Sequence, residues 1–169
     1  MKKMFFTLFF IASIFSVIAQ EKPRVAVVTL QVTNKVNLQI PDINPRNPPR
    51  ILTLQEMLSN ADIIVGAITT EVVNTNRFRV VERSRIDKIM REQGFQRSSL
   101  TSEQVVKVGR LLGVNKIITG EYSEDGYNST VNIRLIDVET GDIEAAASYQ
   151  FNSRYLVDLS KTLVKQLLR

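Results

Sequence analysis

Residues 77–94 read RFRVVERSRIDKIMREQG. Phe78 and Val80 alternate with Arg77 and Arg79, the two-residue period of a strand with one buried face. Ser84 then stands where a helix cap is wanted, with Asp87 three residues on to answer it. Ile86, Ile89 and Met90 supply a buried stripe, and Gly94 offers the left-handed residue that closes the helix. The stretch also raises a functional question. Arg79, Arg83, Arg85, Lys88 and Arg91 are interleaved with Glu82, Asp87 and Glu92, a pattern that suits a catalytic cluster, a nucleic-acid grip or the solvated rim of a scaffold.

Upstream, RVAVVTL at 24–30 is a short, nearly continuous apolar run rich in valine. That is the pattern of a central strand covered on both faces. From Gln31 to Leu52 the pattern dissolves, and Pro41, Pro45, Pro48 and Pro49 remove backbone donors and fix φ. A proline-rich loop over 31–52 follows, and a loop of that length either binds something or is disordered. Thr53 is then positioned to cap a helix running to about Asn74, because Leu54, Met57, Leu58, Ala61, Ile64, Val65, Ile68 and Val72 recur at helical spacing.

Downstream, Thr101 and Gln104 form a T-x-x-Q capping box for a helix whose Val105, Val108 and Leu112 face inward before Gly113 stops it. Gly109 and Gly113 have GxxxG spacing, which capping or close packing explains in a short segment carrying Lys107 and Arg110. Three strands follow, KIITGEYS, YNSTVNIRLIDV and DIEAAASYQF, joined by turns at Glu124-Asp125-Gly126 and Glu139-Thr140-Gly141. A last helix places Leu156, Leu159, Leu163 and Leu167 on one face. The order β-α-β-α-α-β-β-β-α predicts an α/β (α+β) fold: a mixed sheet of about five strands with helices packed on it, since the first crossover needs parallel pairing and the hairpins antiparallel pairing.

Composition removes much chemistry. The chain has 169 residues with no histidine and no cysteine, so Cys/His zinc sites, cysteine nucleophiles, disulfides and Ser-His-Asp relays are excluded. The segment MKKMFFTLFFIASIFSVIA at 1–19 sets two lysines before an apolar run that is short for a membrane span. It has the layout of a signal peptide cleaved after Ala19, leaving 20–169 as a single domain; the alternative is an uncleaved anchor. Cleavage takes two of the five net positive charges with it. The remaining charges are of mixed sign, which favours a solvated face over a phosphate-binding one.

Two carboxylate pairs, Asp137 with Glu139 and Glu124 with Asp125, are the nearest candidates for acid and base work. Both flank turns, and turn chemistry explains them. Asn128-Ser129-Thr130 matches a glycosylation sequon, although a strand start accounts for it as well. No phosphate-cradling glycine loop, nucleophile elbow or calcium loop occurs in the sequence. No catalytic residue, cofactor or metal is therefore assigned.

Three segments together resemble the family of the curli production assembly/transport component: RFRVVERSRIDKIMREQGF, LTSEQVVKVGRLLGVNKIITGEYSEDG and VNIRLIDVETGDI. An aromatic-arginine strand ending in Glu-Arg leads to a helix, a Gly-x-x-x-Gly helix precedes a strand ending in Gly, and an Arg-Leu-x-Asp-x-x-Thr-Gly turn follows. The likeness spans about 60 to 145. It implies a bacterial envelope module that works by protein contact, in the periplasm and near the outer membrane, with envelope proteins or further copies of itself as partners and no nucleic acid. The chain departs from the family in lacking a lipidated cysteine, and the eight residues Ser123 to Thr130 between Tyr122 and Val131 are too few for an inserted membrane hairpin. The expected role is a non-catalytic module assisting assembly, secretion or transport. The alternative is a ligand-binding or regulatory envelope domain, such as an activator of a cell-wall synthase. The expected interaction surface comprises Arg79, Arg83, Arg85, Lys88 and Arg91 with Pro41, Pro45 and Pro48 of the loop.

Overall fold

A valine-rich strand buried on both faces organises the molecule. The computed structural model describes residues 21–35, 52–96, 99–151 and 158–169. Strand β1 (Arg24–Asn34) is followed by helix α1 (Leu54–Asn74), β2 (Arg79–Val80), α2 (Arg83–Glu92), α3 (Ser102–Leu112), β3 (Lys116–Glu124), β4 (Ser129–Asp137), β5 (Ile143–Phe151) and α4 (Asp158–Leu167). The five strands form one sheet in the order β2-β1-β3-β4-β5. β1 pairs in parallel with β2 and β3, and the β3-β4-β5 meander is antiparallel. This is the mixed sheet that the order of elements predicts.

The period of two in β1 sends alternate side chains into two cores. Val25, Val27 and Leu30 meet Met57, Ile64 and Ile68 of α1, Leu159 and Leu163 of α4, and Val131 and Ile133 of β4. Ala26 and Val28 meet Ile86 and Met90 of α2 and Val105, Val108 and Leu112 of α3 on the other face. Helices α1 and α4 therefore form one layer, and α2 and α3 the opposite one. A register shift between Val27 and Leu30 marks an irregularity in the β1–β3 pairing.

Thr53 caps α1 and the Thr101–Gln104 box caps α3 as the sequence predicts, and at α1 Glu56 completes a box that the sequence reading does not include. The Thr53 hydroxyl accepts from the Glu56 amide at 3.2 Å while the Glu56 carboxylate accepts from the Thr53 amide at 2.8 Å. Thr101 and Gln104 repeat the arrangement at 3.2 and 2.9 Å. Gly113 closes α3 with φ 62°, and Gly94 takes φ 66° just past α2.

Four expectations need correction. β1 continues through residues 31–34, which the sequence assigns to the loop, because β3 runs beside it and pairs Gln31 with Glu121 through Asn34 with Glu124. β2 is only two residues long, confined between the turn at Asn76 (φ 56°) and the start of α2. Ser84 does not cap α2. Glu82 holds the cap position in extended backbone and makes no side-chain cap bond, so Ser84 lies inside the helix. Fourth, Glu124 ends β3 and its side chain is buried, whereas only Asp125 of that pair serves the turn. Leu156, Pro41, Pro45, Pro48, Pro49 and the leader at 1–19 lie outside the described residues.

Candidate interaction surface

The charged stretch sits on β2 and α2, at the end of the sheet where β1 and β2 begin. Arg79 is exposed on β2 and pairs with Glu21. Arg83 opens α2 and is held from two sides: its Nη2 lies 3.2 Å from Asp62 Oδ1 of α1, and its Nε lies 3.2 Å from Asp87 Oδ1 one turn along. These groups line a groove of about 340 Å³ between α1 and α2, together with Val65, Gly66 and Thr69. Arg83 Nη1 is buried and makes no hydrogen bond among the described residues.

The remaining three cations behave differently. α2 buries Ile86 and Met90, and Ile89 is half-buried against the same core. Arg85, Lys88 and Arg91 are exposed, and among the described residues their one ion pair, Lys88 with Glu92, is loose at 3.9 Å. The sequence-predicted surface thus divides. Arg83 is a strut between two helices, Arg79 is tied to the segment before β1, and Arg85, Lys88 and Arg91 form a cationic face presented to solvent.

The carboxylates that sequence reading singled out are engaged elsewhere. Asp137 accepts from Lys116 Nζ at 2.7 Å and from the amides of Glu139 and Thr140 at 2.8 and 2.9 Å. The Lys116 ammonium and those amides hold its carboxyl down at about 2. Lys116 also pairs with Glu144. Burial pushes the Lys116 ammonium down, but its bonds to Asp137 and Glu144 prevail and leave it above its ordinary value. Asp125 accepts from the amides of Tyr127 and Asn128 at 2.9 and 2.7 Å. Burial works against that charge, and the amide bonds outweigh it, so its carboxyl titrates below the usual range. Both aspartates fix hairpin turns.

Sequence reasoning missed a buried polar cluster at the far end of the sheet. Tyr122 donates to the Glu124 carboxylate, Ser129 Oγ donates to the same carboxylate at 2.5 Å, and Asn60 of α1 donates to the Tyr122 oxygen at 3.3 Å. Tyr122 and Ser129 are fully buried and Glu124 is 5% exposed. Burial, reinforced by the bond to Glu124, pushes the Tyr122 hydroxyl up to about 12, so it stays a donor at neutral pH. The period of two held the signal: Ile118, Gly120, Tyr122 and Glu124 share one face of β3, which puts the glutamate at a core position. The sequon's Ser129 is the first residue of β4, as the strand-start reading has it.

Among the described residues no acidic group of three or more is placed to hold a metal ion. Nor is any described helix long and apolar enough to cross a membrane.

The fold is shared with several solved structures. The solution structure of Escherichia coli LpoB superposes with a TM-score of 0.55 at 16% identity, covering 76% of this chain and 57% of that one. The lipoprotein GNA1162 from Neisseria meningitidis gives 0.52 at 13% identity, covering 85% and 95%. The LpoB C-terminal domain from Salmonella enterica gives 0.51 at 12% identity, covering 78% and 84%. At these identities the likeness is one of fold. No curated protein matches the chain in sequence. The family of the curli production assembly/transport component CsgG matches residues 15–128, the span that runs from before β1 to the turn after β3. With the order of elements and the strand-helix junction at Glu82-Arg83 in place, the chain belongs to the CsgG family.

Proposed function

We propose that this chain is a non-catalytic protein-interaction module of the bacterial envelope that assists assembly, secretion or transport at the outer membrane. Residues 1–19 act as its cleaved leader, 20–169 form one domain, and the mature protein works in the periplasm by docking on envelope proteins. The observation that carries this reading is the exposed cationic face of α2, where Arg85, Lys88 and Arg91 stand clear of the core in a member of the CsgG family. The proline-rich loop is the second part of the proposed surface, with Pro41, Pro45 and Pro48. Arg79 and Arg83 border the face.

The test reverses the charge of Arg85, Lys88 and Arg91 together in the full chain, and crosslinks the variant and the parent in the native envelope. Arg83 is left in place because its ties to Asp62 and Asp87 join α1 to α2. The expected result is loss of specific crosslinked envelope proteins with an unchanged melting curve. Unchanged crosslinking refutes the surface. A released protein whose intact mass includes Met1 to Ala19 refutes the cleaved leader.

A further inference from the structure

The two edges of the sheet are built differently. On one side the edge is β2, two residues long and carrying Arg79. Short, charged edge strands are a standard defence against unwanted pairing. On the other side the edge is β5, nine residues reading IEAAASYQF. β5 contains no proline and no lysine, and its single charge, Glu144, is drawn back to Lys116. The register shift between Leu135 and Ile136 sets Glu144 out of step with β4, so the irregularity affects only the start of the strand. From Ala145 to Phe151 the pairing with β4 is regular. Among the described residues nothing pairs with the outer side of β5, so every second residue there presents its N–H and C=O outward.

We propose that the outer edge of β5 takes an extended segment of a partner protein as a sixth strand, and that this segment carries acidic residues. Unpaired main-chain groups in a row are satisfied best by another main chain, which is the physical basis of strand addition. The side chains along the edge permit the approach. Ala146 and Ser148 are small and exposed on one face, while on the other the half-buried Tyr149, its ring centroid 6.4 Å from that of the buried Phe151, gives apolar footing for a side chain of the incoming strand. Charge selects the occupant. α4 covers the face of β5 and exposes Lys161 and Lys165. A second copy of this chain, paired edge to edge, brings two such basic helices onto the same side of one sheet, where like charges repel. An acidic segment meets them favourably instead.

The probe is a peptide of the length of β5, alternating valine and threonine with glutamate at both ends, added at millimolar concentration to the full-length protein. Amide hydrogen exchange is read residue by residue. The expected result is exchange slowed about tenfold or more at the alternate β5 amides that β4 leaves unbonded, with β1 and β3 unchanged. The same peptide N-methylated at alternate residues gives no protection, and Lys161→Glu with Lys165→Glu weakens the effect about fivefold. No protection by the unmethylated peptide overturns the proposal, as does equal protection by the methylated one. Protection that is present without peptide and fades on dilution overturns it in favour of a second copy. The readout is independent of the α2 face, so failure here and failure of the proposed function are distinguishable.

Discussion

Replacing Gly120 by alanine should damage the sheet far more than the same change at Gly109, although both glycines are in tight surroundings. A Cβ built on Gly120 lies 1.8 Å from the Asn132 carbonyl oxygen and 2.9 Å from Ile133 Cα, both backbone atoms of the neighbouring strand. A carbon and an oxygen in contact sit about 3.3 Å apart, so β3 and β4 must part locally by on the order of 1.5 Å. Ladder bonds tolerate only a few tenths of an ångström. About two of them are lost at roughly 1 kcal/mol each, and strain in the layer around Tyr122 and Ile133 adds roughly 1–3 kcal/mol. The sum, about 4 kcal/mol, is a large fraction of a typical domain's 5–15 kcal/mol, roughly. At Gly109 the new Cβ meets the ends of side chains, Ile117 Cδ1 at 2.5 Å and Val138 Cγ2 at 2.7 Å. Those ends can shift for about 1–3 kcal/mol, and alanine returns about 1 kcal/mol of helix propensity. Urea unfolding followed by far-ultraviolet circular dichroism measures both variants against the parent. Gly120→Ala within about 1 kcal/mol of the parent, or milder than Gly109→Ala, refutes the reasoning.

Two further predictions concern the buried cluster and the helix caps. Tyr122 titrates at about 12 in the fold against an ordinary value of 10.0. Its contribution of roughly 2–3 kcal/mol is therefore complete below pH about 10 and is lost as pH rises through about 12. Stability measured across that window should fall in the parent, and the fall should be shallower in Tyr122→Phe; identical slopes refute the assignment. For the caps, Thr53→Ala and Thr101→Ala should each cost about 1 kcal/mol, whereas Ser84→Ala should be close to neutral because Ser84 lies within α2. Equal losses at all three positions, read by chemical denaturation, contradict the capping geometry.

Local chemistry explains which elements were legible. The cap at Thr53 and the capping box at Thr101 need only residues close in sequence, and the hairpins need only turn residues between alternating runs. Such signals survive in a linear sequence. The misread elements depend on neighbours far along the chain. Residues 31–34 extend as strand because β3, about ninety positions later, offers a ladder to them. β2 is cut to two residues by what flanks it. Ser84 has the composition of a cap, but Glu82 already occupies the cap position at the end of an extended segment.

The candidate surface divides along the same line. Helical period alone separates Ile86 and Met90 from Arg85, Lys88 and Arg91, and the burial of the first pair against the exposure of the second set agrees with it. What period does not reveal is that Arg83 reaches across to Asp62 on α1, which sets this arginine apart from the three outward cations. The distinction bears on function. An exposed ion pair contributes about 0–1 kcal/mol, and among the described residues the one pair formed by the three outer cations spans 3.9 Å, so stability places almost no demand on their identity. α2 is held instead chiefly by the buried Ile86 and Met90. Three cations on a face that folding leaves free are what the proposed docking surface requires, and a partner bearing carboxylates is the contact their chemistry favours.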